Sequence, residues 1–241
     1  MNSPAALGRV RIVLFQTSHP GNIGAAARAM KTMGLSRLFL VKPKNFPHAD
    51  ADSFAAGAID VLERATVCAS LDEALTGTVL SVASTARRRA FAQETLDCRE
   101  ASHRLVVESQ AGEVALVFGQ ERTGLTTREL SKCGLVAMIP TDAAYPVLNL
   151  AQAVQVFAYE LRMAAGIAEV KRRSGHPATH EQTERFYAEL EKTLYRIDLL
   201  DPKQPRRMIQ RLRRLFSRAG LESEEANILI GLLGVIQSKV E

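Results

Sequence analysis

Cysteine is scarce: the 241 residues include three, Cys68, Cys98 and Cys133, odd in number and far apart. They make neither a disulfide scaffold nor a CxxC metal pair, so no metal is expected and a reducing cytoplasmic compartment is. No apolar run approaches 18 residues, which predicts no transmembrane span and no membrane partner. Residues 1–8 lack a basic start followed by an apolar stretch, which argues against a secretory leader. Internal repeats and low-complexity tracts are also missing. What is present is ordinary globular material, 46% hydrophobic and 24% charged, enough for a sizeable core.

Net charge is +5, and its distribution says more than its size. Residues 1–170 hold 17 Lys and Arg against 16 Asp and Glu, whereas residues 171–241 hold 14 against 10. Residues 202–221 contain Lys203, Arg206, Arg207, Arg211, Arg213, Arg214 and Arg218 and no acid. A second cluster, Arg87-Arg88-Arg89, interrupts an apolar region. A basic run is often a solvated helix face. A field undiluted by carboxylates over 20 residues is also what phosphate attracts, so both readings stand.

Short β-rich runs at residues 10–16, 38–41, 79–83, 114–118 and 135–139 alternate with helical patterns. They lack in/out alternation, as suits parallel strands covered on both faces. Helices are predicted at 23–33, 53–64 (with Ser53 as its cap), 126–132 and 150–165. In the last, Leu150, Val154, Phe157 and Leu161 fall on one face. This alternation predicts a doubly wound α/β domain over residues 1–167. Residues 168–180 read as a linker, and 181–241 as a helical extension with helices at 181–195, 205–219 and 222–239, too small for a large core.

Three segments place Gly or Asn at element junctions. After the first strand comes His19-Pro20-Gly21-Asn22-Ile23-Gly24-Ala25-Ala26-Ala27-Arg28. Its small residues allow close backbone approach to a ligand, and a helix N-terminus offers free N–H groups. It is neither GxGxxG nor GxxxxGK[ST], so dinucleotide and P-loop sites are poorly supported. Tight packing by alanines is the plainer reading, but packing has no use for Arg28. After the fourth run comes Phe118-Gly119-Gln120-Glu121-Arg122-Thr123-Gly124, either a solvated surface turn or a ligand loop at the carboxyl end of a sheet. The third runs from Ile139-Pro140 to Pro146-Val147-Leu148-Asn149, where a lone Asn149 would ordinarily be an N-cap.

Together the three segments resemble the SPOUT superfamily, in its branch of RNA ribose 2′-O-methyltransferases, over roughly residues 8–166. Asn22, Gly24 and Arg28 match its Asn-x-Gly with Arg a turn later. Phe118, Gly119, Glu121 and Gly124 match its Phe-Gly-x-Glu-x-x-Gly, and Pro140, Leu148 and Asn149 its Pro followed by Leu-Asn. The run RIVLFQTSHPGNIGAAARAMKTMGL with a basic helical tail is similar to bacterial tRNA methyltransferases of the TrmJ type, which act on the ribose of nucleotide 32 in the anticodon loop.

The resemblance implies a parallel sheet with a C-terminal trefoil knot, S-adenosylmethionine as donor, an obligate homodimer and tRNA as partner, with no DNA and no membrane. By carry-over Ser84, Thr85, Ala86, Gly119, Ile139, Pro146, Val147 and Leu148 hold the donor, and Asn22, Arg28, Glu121 and Asn149 form the catalytic set. Arg87–Arg89 and the tail bases Lys203, Arg206, Arg207, Arg211, Arg213 and Arg214 face RNA. The ribose hydroxyl must attack the methyl in line and lose its proton, yet no His–Asp pair lies in the motifs. His19 is the histidine near them, with turn closure as its plainer use. A guanidinium resists deprotonation, so Arg28 fits phosphate holding and alkoxide stabilisation better than a base. Val147 departs from the Ser that the branch usually carries. A ribosomal-RNA methyltransferase and a non-catalytic RNA-binding relative of the same fold are the alternatives.

Overall fold

In the computed structural model, residues 4–86, 95–167, 175–200 and 205–240 are described. They fall into two compact units, Met1–Lys171 and Arg172–Glu241. The first carries β1 Val10–Phe15, β2 Arg37–Val41, β3 Thr66–Cys68, β4 Thr78–Ser84, β5 Thr95–Asp97, β6 Glu113–Phe118 and β7 Leu135–Met138. Its helices are α1 Pro4–Leu7, α2 Pro20–Thr32, α3 Ala49–Ala55, α4 Ile59–Glu63, α5 Leu71–Leu75, α6 Cys98–Glu108, α7 Thr127–Leu130 and α8 Leu150–Ile167.

The seven strands form one sheet in the order β3-β2-β1-β6-β4-β7-β5, every pair parallel. Successive residues of β1 and β6 feed two cores. Ile12, Leu14 and Leu116 pack with α2, α6 and α8 residues such as Ile23, Leu105 and Phe157. Val13 and Val117 face the other side with Leu75 and Leu130. Burial on both faces explains why these strands read as continuous apolar runs.

All five expected strands are present, within a residue or so at each end. β3 and β5 come in addition: each has three residues, and Thr66, Val67, Thr95 and Asp97 are exposed. Pairing to a neighbour, not an apolar pattern, makes them strands. Helix α6 also escapes the pattern, although Asp97 and Glu100 form a capping box. The predicted helix 53–64 is corrected. The chain forms α3, a 3₁₀ turn at Ala56–Ala58 and α4, broken where Ala56 adopts φ +49°. Its cap is His48, whose Nδ1 accepts the Asp50 N–H at 3.1 Å, not Ser53.

At the N-terminal end of the sheet, Glu113 pairs with both Arg11 and Arg37, and Arg11 also donates to the Ala74 carbonyl at 2.8 Å. Burial opposes ionisation of Glu113, but the two guanidinium groups hold its carboxyl below the usual range. Arg11 is only 8% exposed, so Glu113→Ala strands a buried charge. Urea unfolding should show a loss of about 3 kcal/mol, with the opposite, C-terminal edge of the sheet unaffected in ligand titrations.

The second unit comprises α9 His180–Arg196, α10 Pro205–Ala219 and α11 Ser223–Lys239. It has a small core of its own, Phe186, Tyr187 and Leu233, with Phe216 edge-on to Phe186 at 4.7 Å. Part of the expected linker belongs to this unit. Ala178 N–H donates to the Leu221 carbonyl and Ser223 N–H to that of His176, both at 2.8 Å.

Candidate functional site

Because every strand is parallel, the segments following β1, β4, β6 and β7 emerge at one edge. Residues 84–86 and 118–124, with Ile139, Thr141, residues 146–148, Leu150 and Ala153, line a cavity there of about 150 Å³. All eight residues expected to hold a donor lie in its wall: Ser84, Thr85, Ala86, Gly119, Ile139, Pro146, Val147 and Leu148. Sequence reasoning missed Gln120, Arg122, Thr123 and Thr141 in the same wall. The first three sit inside a motif already quoted, so flanking position was the available signal. Thr141 closes its loop by donating to the Pro146 carbonyl at 3.1 Å.

Gly119 is dictated by geometry. A Cβ there would overlap the backbone of Gly124 and Leu125, which fold back over it. Gly124 adopts φ +65° and donates to the Gln120 carbonyl at 2.8 Å, closing the loop. This loop presents Glu121 to the start of α2. The carboxylate accepts the Ser18 N–H at 3.0 Å, the Ser18 hydroxyl at 2.8 Å, the His19 N–H at 3.2 Å and the Asn22 amide at 3.0 Å. Half-burial alone would raise its pKa. The hydrogen bonds from Asn22 and Ser18 outweigh that and hold it down to about 2. Glu121 is therefore not a solvated surface turn. It is a fixed anion at the positive end of α2.

The amide chain continues. Asn149 is the N-cap of α8, its Oδ1 accepting the Ala151 N–H at 2.9 Å, while Gln152 reaches back to the Asn149 N–H at 3.2 Å. With Oδ1 engaged, its NH₂ donates to Asn22 Oδ1 at 3.0 Å, which turns the Asn22 NH₂ toward Glu121. The ordinary capping role of Asn149 and its place in the site are thus one arrangement. Among the described residues both amides keep one N–H unspent, in a fixed direction, next to Glu121 and Leu148 of the cavity wall.

His19 closes its turn, as the plainer reading had it: Nδ1 accepts the Gly21 N–H at 3.2 Å as the cap of α2. Arg28 is not brought into the cluster. It follows Asn22 and Ala25 along the i+3 row of α2, exposed and without a hydrogen bond or ion pair among the described residues. Arg87, Arg88, Arg89 and Lys203 lie outside the described residues, as do the side chains of Arg206 and Arg207. Arg211 and Arg214 are exposed on α10. Arg213 differs: it forms a two-pronged pair with Glu184 at 2.6 and 2.8 Å and covers the Tyr187 ring at 4.3 Å. The carboxylate missing from its own helix comes from α9, so Arg213 fastens the helical unit together.

Among the described residues no group of three or more His, Cys, Asp or Glu could hold a metal ion, and no helix is long and apolar enough to cross a membrane. A family model described as the SpoU rRNA methylase family matches residues 9–159, the span that builds this site. The chain belongs to the SpoU methylase family. A second model, the TrmJ C-terminal domain, matches residues 181–241 and so the helical unit. Within the family the chain is 46% identical over 239 residues to the tRNA (cytidine/uridine/adenosine-2′-O-)-methyltransferase TrmJ of Pseudomonas aeruginosa, covering 94% of this chain and 93% of that one. It is 47% identical to the tRNA (cytidine/uridine-2′-O-)-methyltransferase TrmJ of Klebsiella pneumoniae, covering 97% and 98%. The crystal structure of TrmJ from Z. mobilis superposes with a TM-score of 0.82 at 30% identity, covering 94% and 98%.

Against the SPOUT pattern, Val147 puts an apolar, 52% exposed side chain into the cavity wall. It has no group to transfer a proton, so any contribution to chemistry runs through its backbone. Val147→Ser should change turnover by less than about tenfold, roughly 1.4 kcal/mol. Inactive wild type rescued by the serine would show that the hydroxyl matters.

Proposed function

We propose that this chain transfers the methyl group of S-adenosylmethionine to the ribose 2′-hydroxyl of nucleotide 32, C or U, in the anticodon loop of tRNA. It does so in the cytoplasm as a homodimer. The observation that carries this reading is that a cavity lined by all eight expected donor-site residues opens beside the Glu121–Asn22–Asn149 chain. Near-full-length identity to TrmJ tRNA methyltransferases, and a tail that matches their C-terminal domain, support tRNA over ribosomal RNA. A trefoil knot at this edge belongs to the same reading, supported by β7 lying between β4 and β5.

The cavity suits the donor chemically. Apolar side chains from Ile139, Leu148 and Leu150 offer a slot for a flat ring, the loops offer backbone N–H and C=O groups, and Gly119 lets the loop to Leu125 fold back tightly as part of the wall. When bound, S-adenosylmethionine supplies an electrophilic methyl group. The protein's own task is to hold the ribose in line with it, which by itself can provide much of the acceleration. The unspent N–H groups of Asn22 and Asn149 are placed to hold ribose or phosphate oxygen. Glu121, ionised down to about pH 2, is a poor proton acceptor at neutral pH and serves to aim Asn22. Arg28 brings a permanent charge to phosphate and to the developing alkoxide.

Two measurements test the proposal: calorimetric binding of S-adenosylmethionine, and ribose-methylation mapping of total RNA from a deletion strain. No donor binding, or an unchanged nucleotide 32, overturns it. The tail has its own test. Replacing Arg206, Arg207, Arg211 and Arg214 with Gln should shrink the salt slope of tRNA binding by about one for each phosphate no longer neutralised. An unchanged slope would return these bases to the solvated-face reading.

A further inference from the structure

Phe54 is an aromatic side chain with no core to fill. It is 55% exposed on α3. A Cβ on Gly21 would lie 3.1 Å from the Phe54 ring and 3.1 Å from the His19 ring, so both rings border one patch over the first turn of α2. That turn carries Asn22. The platform is rigid, because Gly24 lets the α3 backbone press against α2. A side chain there would overlap the Ala51 carbonyl, and Ala51 and Ala55 are fully buried.

Two lysines follow β2 along the edge that carries this patch. Lys44 N–H donates to the Thr17 carbonyl at 3.1 Å, two residues before His19, and Lys42 N–H donates to that of Cys68 at 3.1 Å. The segment therefore runs along the same C-terminal edge. Both lysines are exposed, and among the described residues neither ammonium group has a hydrogen bond or ion pair. On α3, Asp50 lies one turn before Phe54 with its carboxylate exposed, a single acid against the two lysines, and Asp52 lies about 200° around the helix from Phe54. An exposed ring on a rigid base with unpaired cations alongside is the combination that grips unpaired nucleotides, stacking on the base and neutralising its phosphates.

We propose that Phe54, with His19 beside it, is a stacking face for an unpaired base next to the methyl acceptor, and that Lys42 and Lys44 hold the adjoining phosphates. This rests on the methyl-transfer reading above and names an RNA-binding surface within it of which only His19 falls inside a motif. A π-face accepts any base, so the stack positions the loop without reading its sequence.

The test uses full-length protein, tRNA, and an anticodon stem–loop hairpin with 2-aminopurine placed in turn at each loop position. Wild type and Phe54→Tyr should quench one loop position. Phe54→Leu and Phe54→Ala should lose that quench, weaken hairpin binding about tenfold and raise KM for tRNA more than they lower kcat, with donor binding unchanged. Leucine separates stacking from packing because it keeps apolar bulk and loses the π-face. Quenching and affinity in Phe54→Leu equal to wild type overturn the proposal. So does a change of oligomeric mass in Phe54→Leu or Phe54→Ala, which would mean the ring is buried between copies. Lys42→Gln with Lys44→Gln should reduce the salt slope, and an unchanged slope removes the lysines from it. Wild type is assayed alongside for methyl transfer: no transfer sinks the enzymatic reading, whereas normal transfer with a silent Phe54→Leu sinks only the stacking role.

Discussion

Glu121→Gln should lower turnover by at least about 100-fold, although the two side chains have nearly the same shape. The carboxylate accepts from four groups: Ser18 N–H, Ser18 hydroxyl, His19 N–H and the Asn22 amide. A glutamine must turn an NH₂ toward one of those donors, leaving it facing another donor. Asn22 then loses the partner that orients it, and Asn149 loses its fixed acceptor. The pH profile discriminates between mechanisms. The folded carboxyl is held at about 2, below its ordinary 4.5. Its contribution to stability is therefore complete above about pH 4.5 and lost only as pH falls through about 2. A carboxylate acting as the base would give an acid limb near neutrality that the variant abolishes. An anchoring Glu121 gives a profile between pH 5 and 8 of the same shape in wild type and variant, only lower. Turnover of Glu121→Gln close to wild type, with donor binding intact, would remove Glu121 from the machinery.

For Arg28→Ala, a fall in turnover of about 100-fold or more is expected, with donor affinity near wild type. Arg28 does not line the cavity and has no hydrogen bond or ion pair among the described residues, so removing it leaves no buried group unpaired. Stability should be nearly unchanged, which makes the kinetic effect easy to interpret. Arg28→Lys should rescue poorly, because a point charge does not reproduce the planar two-pronged donor. A turnover near wild type in the alanine variant would show that the exposed guanidinium is only a solvated charge.

The architecture was largely legible because burial on both sheet faces leaves unbroken apolar runs in β1, β4, β6 and β7, and these need no partner to be recognised. The exceptions share a cause. β3 and β5 are strands only because β2 and β7 supply their hydrogen bonds, and the break between α3 and α4 follows from Ala56 at φ +49°, which no propensity announces. In the site, Asn22, Glu121 and Asn149 were each ambiguous alone, an ordinary turn, surface or capping residue. Ser18 was not singled out at all, since nothing about a serine two places before a proline says that its N–H and hydroxyl converge on a carboxylate 103 residues away.

What the sequence determined by itself was the set of parts: a parallel sheet, three Gly- and Asn-bearing junctions in a fixed order, and a helical extension rich in bases. Those are local properties, set by hydrophobic period, caps and turns. Tertiary structure decided which part does what. It joined the cap Asn149 to Asn22, 127 residues earlier, and so fixed the direction of two amides. It spent Arg213 on Glu184 while leaving Arg211 and Arg214 exposed, and it set Phe54 at the surface beside His19. Each of those outcomes depends on a partner far away in the chain, and a hydrogen bond or an ion pair is specified only when both ends are in place.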